Sequence, residues 1–340
     1  MDLRKILFPF SWLYWAVTAI RNHFYDKGLF TSYTFDVPVI AIGNLSTGGT
    51  GKTPQTEYLI RLLSGRYRVA TLSRGYKRKS KGYVLAGDSA NAAILGDEPY
   101  QFHSKFPNIR VAVDADRKNG IGQLLSLSPR PEVILLDDAY QHRRVKAGFY
   151  ILLTAYGDLY ADDFILPAGN LREGRSGAKR ADVIIVTKCP PELSQSEQVK
   201  IRAKLKAQPG QKVYFTHIDY DMEVHSEEGH RDITAIKGNP KVLVAGIAKP
   251  KPFFDHLSEE GDIVLTFPDH HDFTDKDIEE INQQANQKMI ITTEKDFVRL
   301  KGRLPKEQLF YLPIRSRFLS GGDDFDKTIL DYVGTSTANR

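Results

Sequence analysis

Val39-Ile-Ala-Ile-Gly-Asn-Leu-Ser-Thr-Gly-Gly-Thr-Gly-Lys-Thr-Pro-Gln-Thr56 is the stretch whose reading decides the fold. Its first residues, β-branched and apolar, read as a buried strand. The glycine-rich turn that follows opens at Gly51-Lys52-Thr53 into a segment that reads as helix. Strand, glycine-rich loop and helix in that order make a nucleoside-triphosphate site. Gly48, Gly49 and Gly51 let the backbone curl until successive N–H groups point at one phosphate. Lys52 supplies positive charge for the β- and γ-phosphates, and the Thr53 hydroxyl is the residue type that sits on Mg2+. Ser46, Thr47, Gly48, Gly49, Thr50, Gly51, Lys52 and Thr53 are therefore the expected nucleotide loop. Two positions depart from common patterns. Ser46 stands where the commonest loop has glycine, and Thr47 stands where a variant loop has lysine.

The second chemical signal is Val133-Ile-Leu-Leu-Asp137-Asp138, a hydrophobic strand ending in acid. A parallel α/β sheet brings such a carboxylate beside the phosphate loop, where it serves Mg2+. Either acid of the pair suits the metal. Further polar clusters follow other strands: Ser73-Arg-Gly-Tyr76, Asp114-Ala-Asp-Arg117 and, after the acid pair, Gln141-His-Arg-Arg144. Gly96-Asp97-Glu98-Pro99 reads as a helix start. In an open α/β sheet ligands bind outside the carboxyl ends of the strands, and these clusters converge there.

The wider rhythm is strand, turn, helix. Strands are expected at 39–43, 68–72, 110–113, 132–137, 150–154 and 182–187, with helices beginning near Lys52 and Lys118. The expected fold is α/β, a P-loop NTPase-like, mostly parallel sheet with helices on both faces. Composition turns polar around 208–229, which reads as connector and hairpin, and a second α/β block begins at Lys241-Val-Leu-Val. The expected division is an N-terminal amphipathic helix at 1–28, a P-loop domain at 29–207, a connector and hairpin at 208–238, a smaller α/β domain at 239–330 and a frayed tail at 331–340.

Composition limits the function classes. With 340 residues and 41% hydrophobic content, the chain has room for two cored domains. A single cysteine, Cys189, excludes a disulfide framework and fits a reducing compartment. The net charge of +5 favours an anionic partner, whether membrane surface, phosphorylated substrate or nucleic acid. The N-terminus narrows that choice. Its apolar run from Ile6 to Ile20 is shorter than the roughly 20 residues that a spanning helix needs, and it has no small-residue cleavage site. Trp12, Tyr14 and Trp15 favour a membrane interface, and Arg4, Lys5 and Arg21 flank the run with positive charge. Monotopic attachment is expected. The alternative is a helix packed on its own domain.

Taken together, these motifs resemble the tetraacyldisaccharide 4′-kinase family. The resemblance rests on Gly43-Asn-Leu45 leading into Gly48-Gly-Thr-Gly-Lys-Thr-Pro54, then Ser73–Tyr76, Gly96–Pro99, Asp137-Asp-Ala-Tyr-Gln-His142 and Leu166-Pro-Ala-Gly-Asn-Leu-Arg-Glu173. Ala245-Gly-Ile-Ala-Lys-Pro250, Phe267-Pro-Asp-His-His271 and Thr292-Thr-Glu-Lys-Asp296 continue it in the second block. Departures are small: Ala139-Tyr140 where Gly-Phe is common, and Lys249 where arginine is more usual. The resemblance implies ATP-dependent, Mg2+-assisted phosphorylation of the 4′-hydroxyl of a tetraacylated glucosamine disaccharide 1-phosphate, at the cytoplasmic face of the inner membrane. It implies Asp97 as base with His270 behind it, and Lys52 and Arg172 as charge-offsetting groups. Thr53, Glu98, Asp137 and Asp138 become the Mg2+ shell. Tyr76, Arg117, Gln141, His142, Asn170 and Arg172 become substrate contacts. The expected partners are the lipid disaccharide and the membrane surface, with no nucleic acid and no obligate protein partner. A ParA/MinD-like switch ATPase would want lysine at position 47, and an adaptor using the loop only as scaffold would not need Lys52, Thr53, Asp137 and Asp138.

Overall fold

The computed structural model describes residues 3–269 and 271–338. The chain forms β1 (Val39–Asn44), β2 (Val69–Ser73), β3 (Val84–Leu85), β4 (Arg110–Val113), β5 (Val133–Asp137), β6 (Phe149–Ala155), β7 (Val183–Thr187) and β8 (Lys212–Tyr220). It then enters a second sheet through β9 (Glu223–His225), β10 (His230–Asp232), β11 (Val242–Ala245), β12 (Ile263–Thr266), β13 (Ile290–Thr293) and β14 (Leu309–Leu312). Finally β15 (Ile314–Phe318) returns to the first sheet. Among the described residues the first sheet has the order β15-β8-β7-β6-β1-β5-β2-β4-β3 and the second β10-β9-β14-β13-β11-β12.

β1 lies between β5 and β6, parallel to both. Every residue of it is buried, as a central parallel strand covered on both faces requires. Alternation divides the core in two. Ile40 and Ile42 face one cluster with Leu59, Ile60 and Leu63, while Val39 and Ala41 face another with Ile134 and Leu136. Ile42 pairs in register with Asp137, so the glycine-rich loop and the acid pair leave the sheet side by side. No sequence spacing states that neighbourhood; the strand order creates it.

The sheets do not follow the expected boundaries at 208, 239 and 330. Of the polar stretch expected as connector and hairpin, β9 and β10 form an antiparallel hairpin in the second sheet, whereas β8 is a strand of the first sheet, paired with β7 and β15. Val213, Tyr214 and Phe215 supply buried side chains there, and flanking polar residues hid the strand. The described part of the expected tail, residues 331–338, is helical. A helix runs Gly322–Ala338, and Phe325, Ile329 and Val333 are fully buried against the first sheet. Their spacing of four residues is an amphipathic helical face.

The N-terminal helix Phe8–Asp26 is apolar on the outside. Ser11 is its buried residue, whereas Phe10, Trp12 and Leu13 are 63%, 68% and 66% exposed. Its inward edge is polar: Ala168 N donates to Ser11 Oγ at 2.9 Å and Tyr14 donates to Arg172 O at 3.1 Å, and in the short turn of helix Leu3–Leu7 before it Arg4 donates to Gly169 O at 2.8 Å.

Candidate active site

The loop after β1 is wound tight by glycine. Gly48 and Gly51 have φ of +117° and +79°, where a side chain is strained, so the turn calls for glycine at both. The scaffold holds the loop's carbonyls. Thr187 Oγ1 donates to Thr50 O at 2.8 Å, Lys188 Nζ to Gly49 O at 2.6 Å, and Asn44 Nδ2 to Gly48 O at 3.3 Å. The helix Lys52–Ser64 starts at Gly51 with no side-chain cap, so its first N–H groups are available to an anion. Thr53 is half-buried in that first turn. Ser46 bridges Leu171, and Thr47 N donates to Asn170 O at 2.7 Å. The two positions that depart from common loop patterns are therefore the ones bonded to the 166–173 segment.

Asp137 and Asp138 occupy different environments. Asp137 ends β5, is buried, and accepts from Thr56 Oγ1 at 3.2 Å. Burial, then the neighbouring Asp138 charge, pushes its carboxyl up to about 7, against the pull of Lys52. Asp138 follows with φ of +48°, a left-handed conformation that aspartate tolerates better than most residues. That twist turns its carboxylate to Lys52 Nζ at 3.5 Å and to Arg172, which donates to both oxygens at 3.2 Å. Burial acts to raise Asp138, but these two cations hold it below the usual carboxylate range.

Asp97 and Glu98 begin the helix Asp97–Lys105, as the sequence predicts. Both meet the helix Glu294–Leu300 of the second sheet: Arg299 Nε donates to Asp97 Oδ2 at 3.1 Å, and Lys295 Nζ lies 3.5 Å from Glu98. His270 lies outside the described residues. His271 is committed to structure, with Nε2 2.9 Å from Asp277 Oδ2 and its ring stacked on Phe267.

The expected substrate contacts separate into two groups. Arg117 is buried and donates to Asp114 O at 2.9 Å, while its Nε has no partner among the described residues. Burial lowers its pKa to about 10, although Asp137 and Asp138 act to raise it. His142 Nε2 is likewise buried without a partner, and burial with the Arg117 charge lowers that histidine to about 4. Tyr76 is exposed. Gln141 and Asn170 brace the loop. Gln141 Nε2 donates to Asn44 O at 2.8 Å and Glu173 Oε1 at 3.0 Å, and Asn170 Oδ1 accepts from Arg4 at 3.0 Å.

Sequence reasoning missed Lys188, Glu173, Arg180 and Arg299. Lys188 carried a readable signal, since it follows the strand expected at 182–187 at its carboxyl end. Arg299 carried none, because its contact with Asp97 spans a separation of 202 residues.

A glycine-wound loop at a helix N-terminus, with paired acids and two cations beside it on a mostly parallel sheet, is the arrangement that defines a P-loop kinase. The sequence matches the family described as tetraacyldisaccharide-1-P 4′-kinase over residues 3–334, and the chain belongs to that family. It is 62% identical to the tetraacyldisaccharide 4′-kinase of Flavobacterium johnsoniae over 97% of each chain. It is 45% identical to that of Bacteroides thetaiotaomicron, over all of this chain (100%) and 96% of the relative. A crystal structure of "apo" form LpxK from Aquifex aeolicus in complex with ATP superposes with a TM-score of 0.78. The two sequences are 31% identical, covering 97% of this chain and 99% of that one.

Proposed function

We propose that Asp97, Lys52 and Arg172 carry the family's reaction in this chain: ATP-dependent phosphorylation of the 4′-hydroxyl of a tetraacylated glucosamine disaccharide 1-phosphate, a step of lipid A biosynthesis. The observation behind this reading is the Asp138 carboxylate, held between Lys52 and Arg172 beside the glycine-wound loop. Two cations converge there, as the negative charge of a transferring phosphoryl group requires. The sugar oxygen bonds to the γ-phosphorus while the bridge to the β-phosphate breaks, and ADP leaves. A sugar hydroxyl is far too weak an acid to ionise at neutral pH, so its proton passes to a nearby acceptor, assigned to Asp97. His270, carried over from the family resemblance, supports that carboxylate. Arg117, Asn170 and Arg172 are assigned to phosphate or sugar, with Tyr76, Gln141 and His142 lining the disaccharide site.

Mg2+ fits the donors grouped here. Asp137 is raised because burial and the Asp138 and Glu98 charges crowd it, and a divalent cation relieves that crowding. Among the described residues no three His, Cys, Asp or Glu side chains are grouped to hold a metal. Mg2+ commonly takes one or two protein carboxylates and leaves the rest of its shell to phosphate and water. One or two of Glu98, Asp137 and Asp138, with the Thr53 hydroxyl, would hold it, and it would neutralise β- and γ-phosphate charge.

Among the described residues no helix is long and apolar enough to cross a membrane. The exposed apolar face of the Phe8–Asp26 helix supports attachment within the headgroup layer, and the assignment to the cytoplasmic face of the inner membrane is carried over from the family resemblance. The test is purified protein with Mg-ATP and the tetraacylated disaccharide 1-phosphate in detergent micelles, followed by mass analysis. One added phosphate, located at the 4′ position by fragmentation, is expected. Unmodified lipid with ATP consumed would overturn the reading.

A further inference from the structure

We propose that Arg299, from the second sheet's side of the molecule, is the positioning residue that fixes the Asp97 carboxylate for proton transfer; this rests on the assignment of Asp97 as base. An aspartate side chain has one broad terminal torsion, so its carboxylate plane is loosely set by its own rotamer. Here Arg299 sets it. Nε at 3.1 Å and a second guanidinium nitrogen both donate to Asp97 Oδ2, a planar fork closing on one oxygen. The fork is itself braced. Arg299 NH1 donates to His271 O at 3.3 Å and lies 3.7 Å from Asp296 Oδ1. Asp296 is fully buried and accepts from Gly246 N at 2.8 Å and Thr293 Oγ1 at 2.7 Å. Behind the fork, the hydrogen bond to His271 O holds the guanidinium, and the buried Asp296 charge attracts it from ion-pair distance, the kind of support a reacting group needs to stay within tolerance.

A plain structural tie between the two sheets is the bland account of the same contact. It is weakened by redundancy. The same pair of helices is joined by Lys295 to Glu98 and by Lys105 to Glu294, and Lys249 meets Asp158 at 2.7 Å elsewhere on the boundary. Holding the lobes together does not need a third charged pair between these helices, placed on Asp97 itself.

The experiment measures kcat, both KM values and melting temperature for wild type, Arg299→Ala, Arg299→Lys, Asp97→Asn and the Asp97→Asn/Arg299→Ala double variant. Arg299→Ala is expected to lower kcat by roughly ten- to a hundred-fold with KM for ATP near wild type, the loss expected when a reacting group is misplaced by about an ångström. Arg299→Lys should fall between, because a point charge keeps the attraction and loses the fork. In the Asp97→Asn background, removing Arg299 should cost nothing further in single-turnover assays. Equal losses in both backgrounds mean a structural role and overturn the proposal, as does Arg299→Ala turning over at or above the wild-type rate. If Arg299→Ala does not fold, a wild-type kcat in Arg299→Lys overturns it and a reduced kcat at unchanged ATP KM supports it. Asp97→Asn at wild-type rate would instead remove the base assignment, an outcome separate from the others.

Discussion

Asn22 Nδ2 donates to Glu173 Oε2 at 2.8 Å, so the N-terminal helix and the segment bearing Arg172 meet at one buried carboxylate. Glu173 also accepts from Gln141 at 3.0 Å and from Arg180 at 2.8 Å and 2.9 Å. Gln141 in turn reaches the backbone at the head of the phosphate loop. A helix whose apolar face points outward is thereby wired, by its polar edge, to the groups around the glycine-rich loop.

The outward face predicts membrane partition. Trp12 and Leu13 are 68% and 66% exposed, so replacing both with serine removes little from the folded core. Each such side chain contributes about 1.5–3 kcal/mol when fully buried in an apolar phase, so the pair should weaken vesicle binding at least tenfold. Flotation with liposomes measures this, and the melting temperature in detergent should stay near wild type. Unchanged flotation would move the membrane contact elsewhere.

Glu173→Ala should be costly in a different way. The residue is 3% exposed, and its loss strands the largely buried Arg180 guanidinium with Tyr140 O at 3.3 Å as its remaining hydrogen bond. Breaking a buried pair from one side costs about 3–5 kcal/mol. Urea denaturation of the two proteins reads that difference directly. A loss below about 1 kcal/mol would mean that the pair behaves as an exposed one.

Local chemistry made the nucleotide half of the site legible: a continuous apolar run, glycine punctuation and acid at a strand end each leave a mark within ten residues. Lys52, Thr53, Asp137 and Asp138 are legible in that way and the structure places the loop and the acid pair side by side, while Asp97 and Glu98 sit at the helix start that Gly96–Pro99 announces. What stayed hidden depends on topology. β8 looked like a connector because half its residues face solvent or an edge partner, and β15 belongs to it only after the chain has built a whole second sheet. Arg299 reads in sequence as one more helical cation. The buried group around Lys105 was invisible for the same reason, since Glu57 and Glu294 come from opposite ends of the chain.

Lys52→Ala tests the loop with little risk to the fold. Asp138 keeps Arg172 as a partner at 3.2 Å when Lys52 is gone, so the melting temperature should change little. Losing the cation beside the transferring phosphoryl should lower kcat by about three orders of magnitude or more. A variant that phosphorylates lipid at near wild-type rate would show that the nucleotide binds elsewhere.

The last prediction concerns Glu294. Lys105 lies 2.8 Å from Glu57 Oε2 and also contacts Glu294, with Gln101 donating to Glu57 Oε1 at 2.9 Å, Arg61 to Oε2 at 2.8 Å, and Ile314 N to Glu294 at 3.2 Å. One half-buried lysine faces two buried acids. Burial first, and then the Glu57 charge, raises Glu294 from 4.5 to about 7, against the pull of Lys105. Between those values the folded protein keeps a proton that the unfolded chain has released. Stability falls with rising pH wherever the folded state binds more protons. The contribution of Glu294 is therefore complete below about pH 4.5 and lost as pH rises through about 7. Glu294→Gln cannot titrate, so its melting temperature should gain on wild type steadily from pH 5 to pH 7 and hold a constant gap above that. Titrating groups away from this cluster are common to both proteins and cancel in the difference. Parallel melting curves across the range would mean that Glu294 is already ionised in the folded protein, with Lys105 compensating both acids.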